Sequence, residues 1–420
     1  FNRVERSYIY ASAKGENNNS GFGSDADFNR QGHFFIKHSA FPISEKATDE
    51  VVCAKIVGPR RKKPFQPRSI VNISAMSYGA LGYKATEANA RGSTYAGAYH
   101  NTGEGGISQY HNADDMVFQI GTGYFGCGST NAFGKRQFSL QAFETLVKTH
   151  PSIKMIEVKL SQGAKPGKGG VLPAAKVTAE IASIRGIEEG KDAISPSSHS
   201  AFSNVDELIE FVELLAEKTG LPVGIKSAVG QSEFWEELAE KMFITKKGPD
   251  FITIDGGEGG TGAAPVPFAD HVSLPFVDAF AFVYKTFKKY NITNDVVFIA
   301  SAKLGFPAKA VMAFAMGADM INIAREIMLS AGCIQAQKCH TGNCPAGIAT
   351  HKWWLQHGFD VNDKSDRVAR FIKTLRKDIL ELSYAAGYHH PSEFKMKDIV
   401  MNTNDISLRK TLADIYDYEK

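Results

Sequence analysis

From about residue 68 onward the chain alternates between two patterns. Short apolar runs rich in β-branched residues end in Gly, Ser, Asn, Lys or Asp, and amphipathic stretches of helical period follow them. The runs that read as strands are 70–77, 98–101, 155–160, 193–195, 223–226, 251–254, 296–300 and 320–323. Helical periodicity marks 84–95, 205–218, 234–241, 277–289 and 307–316, and again 366–382 near the C-terminal end. Strands that are apolar on both faces belong to a parallel sheet covered by helices, and eight of them close a (β/α)8 barrel. An open doubly wound sheet competes with this. It would favour a G-x-G-x-x-G turn after its first strand, where this chain has Ser74-Ala75-Met76-Ser77-Tyr78-Gly79. The expectation is an α/β chain: an irregular N-terminal extension over 1–65, a TIM barrel with a cysteine-bearing loop over 66–350, and a helical C-terminal extension over 351–420 packed on the barrel.

Composition narrows the class. Hydrophobic content of 43% and charged content of 22% are those of a globular protein in water. The net charge of +3, from 48 basic and 45 acidic residues, gives no reason to expect nucleic acid or an anionic membrane as partner. The basic run at 60–63 reads as a solvated loop. The most apolar long segment, around 310–323, is interrupted by Asp319 and flanked by Lys309 and Arg325, so no membrane span is expected within these residues. The chain opens on Phe1 rather than Met, which leaves open a segment upstream, an anchor included. Five cysteines, an odd number and mostly clustered, argue against a secreted disulfide framework and for a reducing, cytoplasmic setting.

Three of those cysteines, Cys333, Cys339 and Cys344, fall in one C-x5-C-x4-C run, with Pro345 directly after the last. Thiolates crowded this closely usually share a metal or an iron–sulfur cluster. The spacing is neither that of a zinc ribbon nor that of a thioredoxin dithiol. Three free cysteines in a Gly-rich loop is the alternative. Cys53 and Cys127 read as buried thiols.

Barrel chemistry sits at the C-terminal ends of the strands, and there the chain gathers polar residues. They are Ser74 to Ser77; Asn101-Thr102-Gly103-Glu104-Gly105-Gly106; Lys159 to Gln162 with Lys165; His199; Lys226; Asp255-Gly256-Gly257-Glu258-Gly259-Gly260-Thr261-Gly262; Ser301 with Lys303; and Ala324-Arg325. Any one glycine loop is most simply a tight turn. The set, four such loops with four lysines on one face, points instead to an anionic ligand. Lys303 and Arg325 stand after the seventh and eighth strands, where barrels bind phosphate.

These residues resemble the central, FMN-binding domain of the glutamate synthase family. The resemblance rests on Lys159-Leu-Ser-Gln162-Gly-Ala-Lys165-Pro-Gly-Lys-Gly-Gly170, Ser74-Ala-Met-Ser77, Asn101-Thr-Gly-Glu104-Gly-Gly106, Ile194-Ser-Pro196 with His199, Gly259-Gly-Thr-Gly262-Ala-Ala-Pro265 and the cysteine triplet, in the family's order over about 68–350. It implies an FMN barrel with a 3Fe–4S cluster held by Cys333, Cys339 and Cys344. It implies FMN contacts at Ser74, Ala75, Met76, Ser77, Thr102, Lys226, Gly256, Gly257, Gly260, Thr261, Ser301, Lys303, Ala324 and Arg325, with Lys226 at the pyrimidine edge of the ring. Lys159, Gln162, Lys165 and Glu104 are implied as the catalytic wall that takes a 2-oxo acid. The implied reaction reduces 2-iminoglutarate, formed from 2-oxoglutarate and ammonia or an amine, to glutamate or an N-substituted glutamate. The implied partners are an external electron donor, ferredoxin or a reductase subunit, and a glutaminase subunit as one source of nitrogen.

The chain also departs from the large enzymes of that family. It resembles a short, standalone branch: no glutaminase domain fits in 1–65, and the C-terminal Gly-rich β-helix is absent from these residues. Ser301-Ala302-Lys303 replaces Asp-Gly-Gly, Ala324-Arg325 replaces Gly-Thr, and Tyr124 replaces an Arg. Two other readings compete: a different FMN-barrel oxidation of the 2-hydroxy acid type, for which His199 would be the base, and a non-catalytic electron-transfer subunit. His100 and His340 read as structural.

Overall fold

The computed structural model describes residues 1–19, 21–132, 135–403 and 408–420. Its centre is a closed barrel of eight parallel strands. In chain order these are β1 (Val71–Ile73), β2 (His100–Asn101), β3 (Met116–Ile120), β4 (Ile153–Lys159), β5 (Val223–Ser227), β6 (Phe251–Asp255), β7 (Val297–Ser301) and β8 (Met320–Ile323). β8 pairs back onto β1, with Ile321 opposite Val71, and this closes the ring. Burial explains the sequence: every residue of β5, β6, β7 and β8 is buried, so these strands read as largely apolar runs.

Two strand assignments change. The run 193–195 lies outside the barrel. Ala193–Ile194 pairs antiparallel with Val171–Leu172, and this small hairpin belongs to the long insertion between β4 and the helix Val205–Thr219. The strand it displaces is β3, which the periodicity passes over for two reasons. No helix separates β2 from β3, so strand–helix alternation fails there. β3 also carries Gln119, whose buried amide donates to Glu157 Oε1 at 2.6 Å. Glu157 further accepts from Asn101 at 2.8 Å and from Thr253 at 2.7 Å, so β2, β3, β4 and β6 share one polar layer inside the barrel. A buried carboxylate needs such partners.

The helices follow their caps. Val205–Thr219 starts on Asn204, whose side chain accepts from Glu207 N, and ends at Gly220 with φ +76°. The long helix Val361–Ala385 starts on Asp360 and packs across Tyr83–Ala96. Gly92 permits that crossing, because a Cβ there would come within 2.6 Å of Val368 Cγ1. The N-terminal extension is less irregular than its composition suggests: Asn2 and Glu5 form a reciprocal capping box at the head of the helix Arg3–Lys14. This helix packs on Val361–Ala385, with Tyr8 Oη donating to Asp378 at 2.7 Å.

The basic run at 60–63 is not wholly solvated. Arg61 bonds both Asp250, at 2.8 Å, and Glu213, at 2.7 Å, and so ties the extension to the N-terminal end of β6. A three-stranded sheet of Phe34–Ile36, Ile399–Asn402 and Arg409–Thr411 joins the two extensions. No helix among the described residues is long and apolar enough to cross a membrane.

Candidate active site

Parallel register brings the polar strand ends to one face. Lys159 pairs with Lys226 across β4 and β5, and Asp255 pairs with Ser301 across β6 and β7. The mouth of the barrel then divides into two sides.

On the β2–β4 side the charges are paired. Lys159 Nζ donates to Glu104 Oε1 at 2.8 Å and to Gln162 Oε1 at 2.6 Å. Gly121 leaves room for this pair, since a Cβ there would lie 2.5 Å from Glu104 Oε2. Burial pushes the Glu104 carboxyl up, but Lys159, Arg185 and Lys165 outweigh it and hold the group below its ordinary value. Lys165 is buried, donates to Gly169 O at 2.8 Å, and has its ammonium pushed down by burial and by Lys159. One carboxylate thus faces three cationic side chains, leaving an excess of positive charge on this wall. At the centre of the mouth, Lys226 and Asp255 form a buried pair 3.4 Å apart. Burial pulls the Lys226 ammonium down, but Asp255 and Glu157 more than reverse it, so Lys226 stays charged.

On the β7–β8 side the charges are not paired with a carboxylate among the described residues. Lys303 has φ +54°, and burial together with Arg325 pushes its ammonium down. Arg325 donates to Glu258 O, a carbonyl rather than a carboxylate. The carboxylates in range are engaged elsewhere: Glu5 with Lys309 at 2.5 Å, and Glu258 with Phe276 N at 2.9 Å. The ring of Phe1 lies over both cations, 5.5 Å from Arg325 and 5.8 Å from Lys303, but a ring face offsets charge only weakly. Two neighbouring cations with no carboxylate of their own among the described residues suit a phosphate.

The remaining predicted cofactor residues line the same mouth in different ways. Ser74 and Met76 are buried after β1, and Ala75 and Ser77 are half-buried. Thr102 is buried and accepts from Gln119 N at 3.2 Å. The N–H groups of Gly256 and Gly257 close the turn after β6 by donating to Ser301 O at 3.0 Å and Leu274 O at 2.8 Å. Gly260 and Thr261 are exposed, and Gly260 lies against Arg325, where a Cβ would come within 2.8 Å of the guanidinium. Ser301 is buried at the end of β7, and half-buried Ala324 caps the short helix Arg325–Ser330.

His199 does not offer a free base. One ring nitrogen is 2.9 Å from Lys159 O and the other 3.1 Å from Tyr124 Oη. Tyr124 Oη also accepts from the N–H groups of Ser200 and Ala201, so its proton is directed to the imidazole. Burial holds His199 neutral, its pKa pushed down to about 4.

The cysteine loop follows β8. Cys344 is buried, while Cys333 and Cys339 are half-buried. Burial raises the thiol pKa of Cys333 and of Cys339, and Cys339 and Cys344 each oppose ionisation at Cys333. Lys176, buried at 3% exposure, donates to Cys339 O at 2.8 Å and Ala80 O at 3.1 Å. Burial pushes its ammonium down, and Cys339 and Cys344 are the groups that oppose this. A buried ammonium bonded only through carbonyl oxygens, facing two cysteines, matches the donor chemistry of a thiolate-bound, anionic group. Among the described residues, however, no group of three or more His, Cys, Asp or Glu side chains is gathered around one metal position.

Arg185 and Lys176 enter the site from geometry alone; Asp255, a strand-end residue in the sequence, and Tyr124, a departure from the family's Arg, gain their partners from it. Arg185, on the short helix Ala179–Arg185 of the insertion, is 4% exposed and donates to Tyr78 O at 3.0 Å, while its Nε has no partner among the described residues. Burial pushes its pKa down to about 10, against the pull of Glu104. A polar residue in a short insertion helix carries no strand-end signal, which is why the sequence hides it.

The fold and mouth define a class: a closed (β/α)8 barrel whose strand ends gather cationic groups at one mouth. The conserved region in glutamate synthase matches residues 35–389, and the chain belongs to the glutamate synthase family. It is 37% identical over 448 residues to the glutamate synthase large subunit-like protein YerD of Bacillus subtilis, covering 97% of this chain and 84% of that one. It is 37% identical over 351 residues to the archaeal glutamate synthase (NADPH) of Methanocaldococcus jannaschii, covering 82% of this chain and 64% of that protein. Among solved structures, the flavin-binding domain of baker's yeast flavocytochrome b2 superposes with a TM-score of 0.51 at 12% identity, covering 99% of this chain and 81% of that one. That likeness concerns the fold.

Proposed function

We propose that this chain is an FMN- and iron–sulfur-dependent oxidoreductase that converts 2-oxoglutarate and ammonia, or an amine, to glutamate or an N-substituted glutamate. The observation that carries the reading is the wall of Lys159, Lys165 and Arg185 around the single carboxylate of Glu104, a cationic excess suited to a dicarboxylate. Family membership and the reaction in the relatives' names support it.

The residues that would hold FMN are the backbone of Ser74 to Ser77, Lys226 at the ring, and Lys303 with Arg325 at the phosphate; Cys333, Cys339 and Cys344 would hold the cluster. Bound FMN supplies a hydride, and the cluster supplies single electrons from an external donor. The chain's own work is binding, charge control and proton placement. Lys165 and Arg185 bind the substrate carboxylates. Lys159, held by Glu104 and Gln162, places an N–H donor beside the carbon that is reduced. Lys226, kept charged by Asp255, balances negative charge at the centre of the mouth. The balance is one 2-oxoglutarate, one ammonium, one hydride and one proton, giving one glutamate and one water.

The engaged ring nitrogens of His199 favour this reading over 2-hydroxy acid oxidation, which needs a free base. The test is anaerobic. Photoreduced protein is mixed with 2-oxoglutarate plus ammonium, or with pyruvate and 2-hydroxy acid controls, and flavin reoxidation is followed. Reoxidation that requires both 2-oxoglutarate and an amine is the expected result. Flavin reduction of the oxidised protein by lactate-type substrates would instead support the competing oxidation.

A further inference from the structure

At the N-terminal end of β4 and β5, opposite the mouth, lies a cavity of about 710 Å³. Its floor is apolar: Phe65 from the N-terminal extension, Val147, Ile153 at the start of β4, and Leu221 just ahead of β5. Pro64 and Pro151 add two flat rings to the lining. Four lysines complete the wall, Lys63, Lys148, Lys154 and Lys218, against one carboxylate, Glu144.

The lysines come from separate parts of the chain: the extension, the helix Leu140–Thr149, β4, and the helix Val205–Thr219. Lys154 Nζ donates to Pro151 O at 3.1 Å, while Lys63, Lys148 and Lys218 form no ion pair among the described residues. Glu213, on the same helix as Lys218, is held instead by Arg61 at 2.7 Å.

Charge decides what fits. Lys148 and Lys218 lie in the last turns of their helices, where a cation answers the helix dipole. The two helix ends contribute about half a negative charge each and Glu144 one more, so the four lysines leave an excess of about two positive charges. A phosphate monoester carries about −1.5 to −2 at pH 7, and lysine binds phosphate as a point charge. An apolar floor with a few charged groups, in a cavity of this size, is the make-up of a small-molecule site. It is not the reacting site, because β4 runs seven residues from Ile153 to Lys159 and sets the floor about 20 Å from the catalytic wall.

We infer that this cavity is a second ligand site, for a phosphate monoester that carries an apolar ring, such as a nucleoside monophosphate. Phe65 and the prolines take the ring, and the lysines take the phosphate. The site does not depend on the chemistry assigned to the mouth, and either can fail without the other.

The test uses the whole protein saturated with FMN, so that the phosphate anchor at the mouth is filled. AMP is titrated by calorimetry. Adenosine lacks the phosphate, inorganic phosphate lacks the ring, and glucose 6-phosphate has a polar body in its place. AMP should bind at least about tenfold tighter than each of the three. Lys63→Glu and Lys218→Glu should each weaken AMP by about tenfold, salt should weaken it further, and the FMN content of both variants should be unchanged. Absence of AMP binding at millimolar concentration, equal affinity for inorganic phosphate, or an affinity that ignores both variants overturns the inference. So does a dimer that Lys218→Glu dissociates, which would make the cavity a contact between copies.

Discussion

The two sides of the barrel mouth are built from similar side chains and handle them differently. Around β4, Lys159 has a carboxylate at 2.8 Å and a glutamine at 2.6 Å. After β7 and β8, Lys303 and Arg325 face each other with carbonyl and ring contacts but no carboxylate. A paired lysine is held in place before any ligand arrives, and a pair's partner keeps neighbouring groups in a defined state. Unpaired neighbouring cations cost free energy until an anion joins them. The first arrangement suits a site where atoms react and geometry matters; the second suits an anchor whose ligand is permanently bound.

The largest expected effect breaks the paired side. Lys159→Met removes the partner of a half-buried carboxylate and the positioned N–H donor, so turnover of 2-oxoglutarate with ammonium should fall by about 10²–10³-fold. FMN content, read from the absorption spectrum, should stay unchanged. Loss of flavin in this variant would erase the distinction between the two sides.

Next comes the unpaired side. Arg325→Ala should weaken FMN binding by about 10–100-fold, the worth of one or two charge-assisted hydrogen bonds. Fluorescence titration of the apoprotein measures it, and the KM for 2-oxoglutarate of the fully loaded variant should barely move.

Acid distinguishes the sides as well. His199 lies under the paired wall with its folded pKa pushed down to about 4, below the usual value of 6.5. The unfolded chain therefore binds the proton first. Stability falls as pH drops from about 6.5 to 4, by up to about 1.4 kcal/mol per pH unit for this group. Buried His100, also near 4, adds to the same slope. Denaturant unfolding across this range should show the decline, and His199→Asn should make it shallower. The smallest effect is expected from Tyr124→Phe, which strips one hydroxyl from His199, Ser200 and Ala201 and should cost about 1–2 kcal/mol of stability.

The barrel was readable in the sequence wherever strands obey a single rule. β5 to β8 are buried on both faces and follow one another with helices between, so their runs are apolar and evenly spaced. β3 escapes because it follows β2 without a helix and spends Gln119 on the internal Glu157 layer. The hairpin strand Ala193–Ile194 imitates a barrel strand because two apolar residues beside a turn look alike in either setting. At the site, Lys159, Gln162, Lys165 and Glu104 stand next to glycines at strand ends and so announce themselves. Arg185 and Lys176 do not, because they reach the mouth and the cysteine loop from the insertion after β4. Tyr124 stands between these cases: the sequence marks it as a replacement for the family's Arg, and its φ of +46° and three-way hydroxyl reveal what it does.

The most direct test of the account is a single turnover under anaerobic conditions. Reduced protein is mixed with 2-oxoglutarate and isotopically labelled ammonium, and the products are read by mass spectrometry. The account predicts labelled glutamate in an amount equal to the flavin reoxidised, and none from the Lys159→Met variant in the same time. Complete reoxidation without labelled amino acid, or equal yield from the variant, would contradict it.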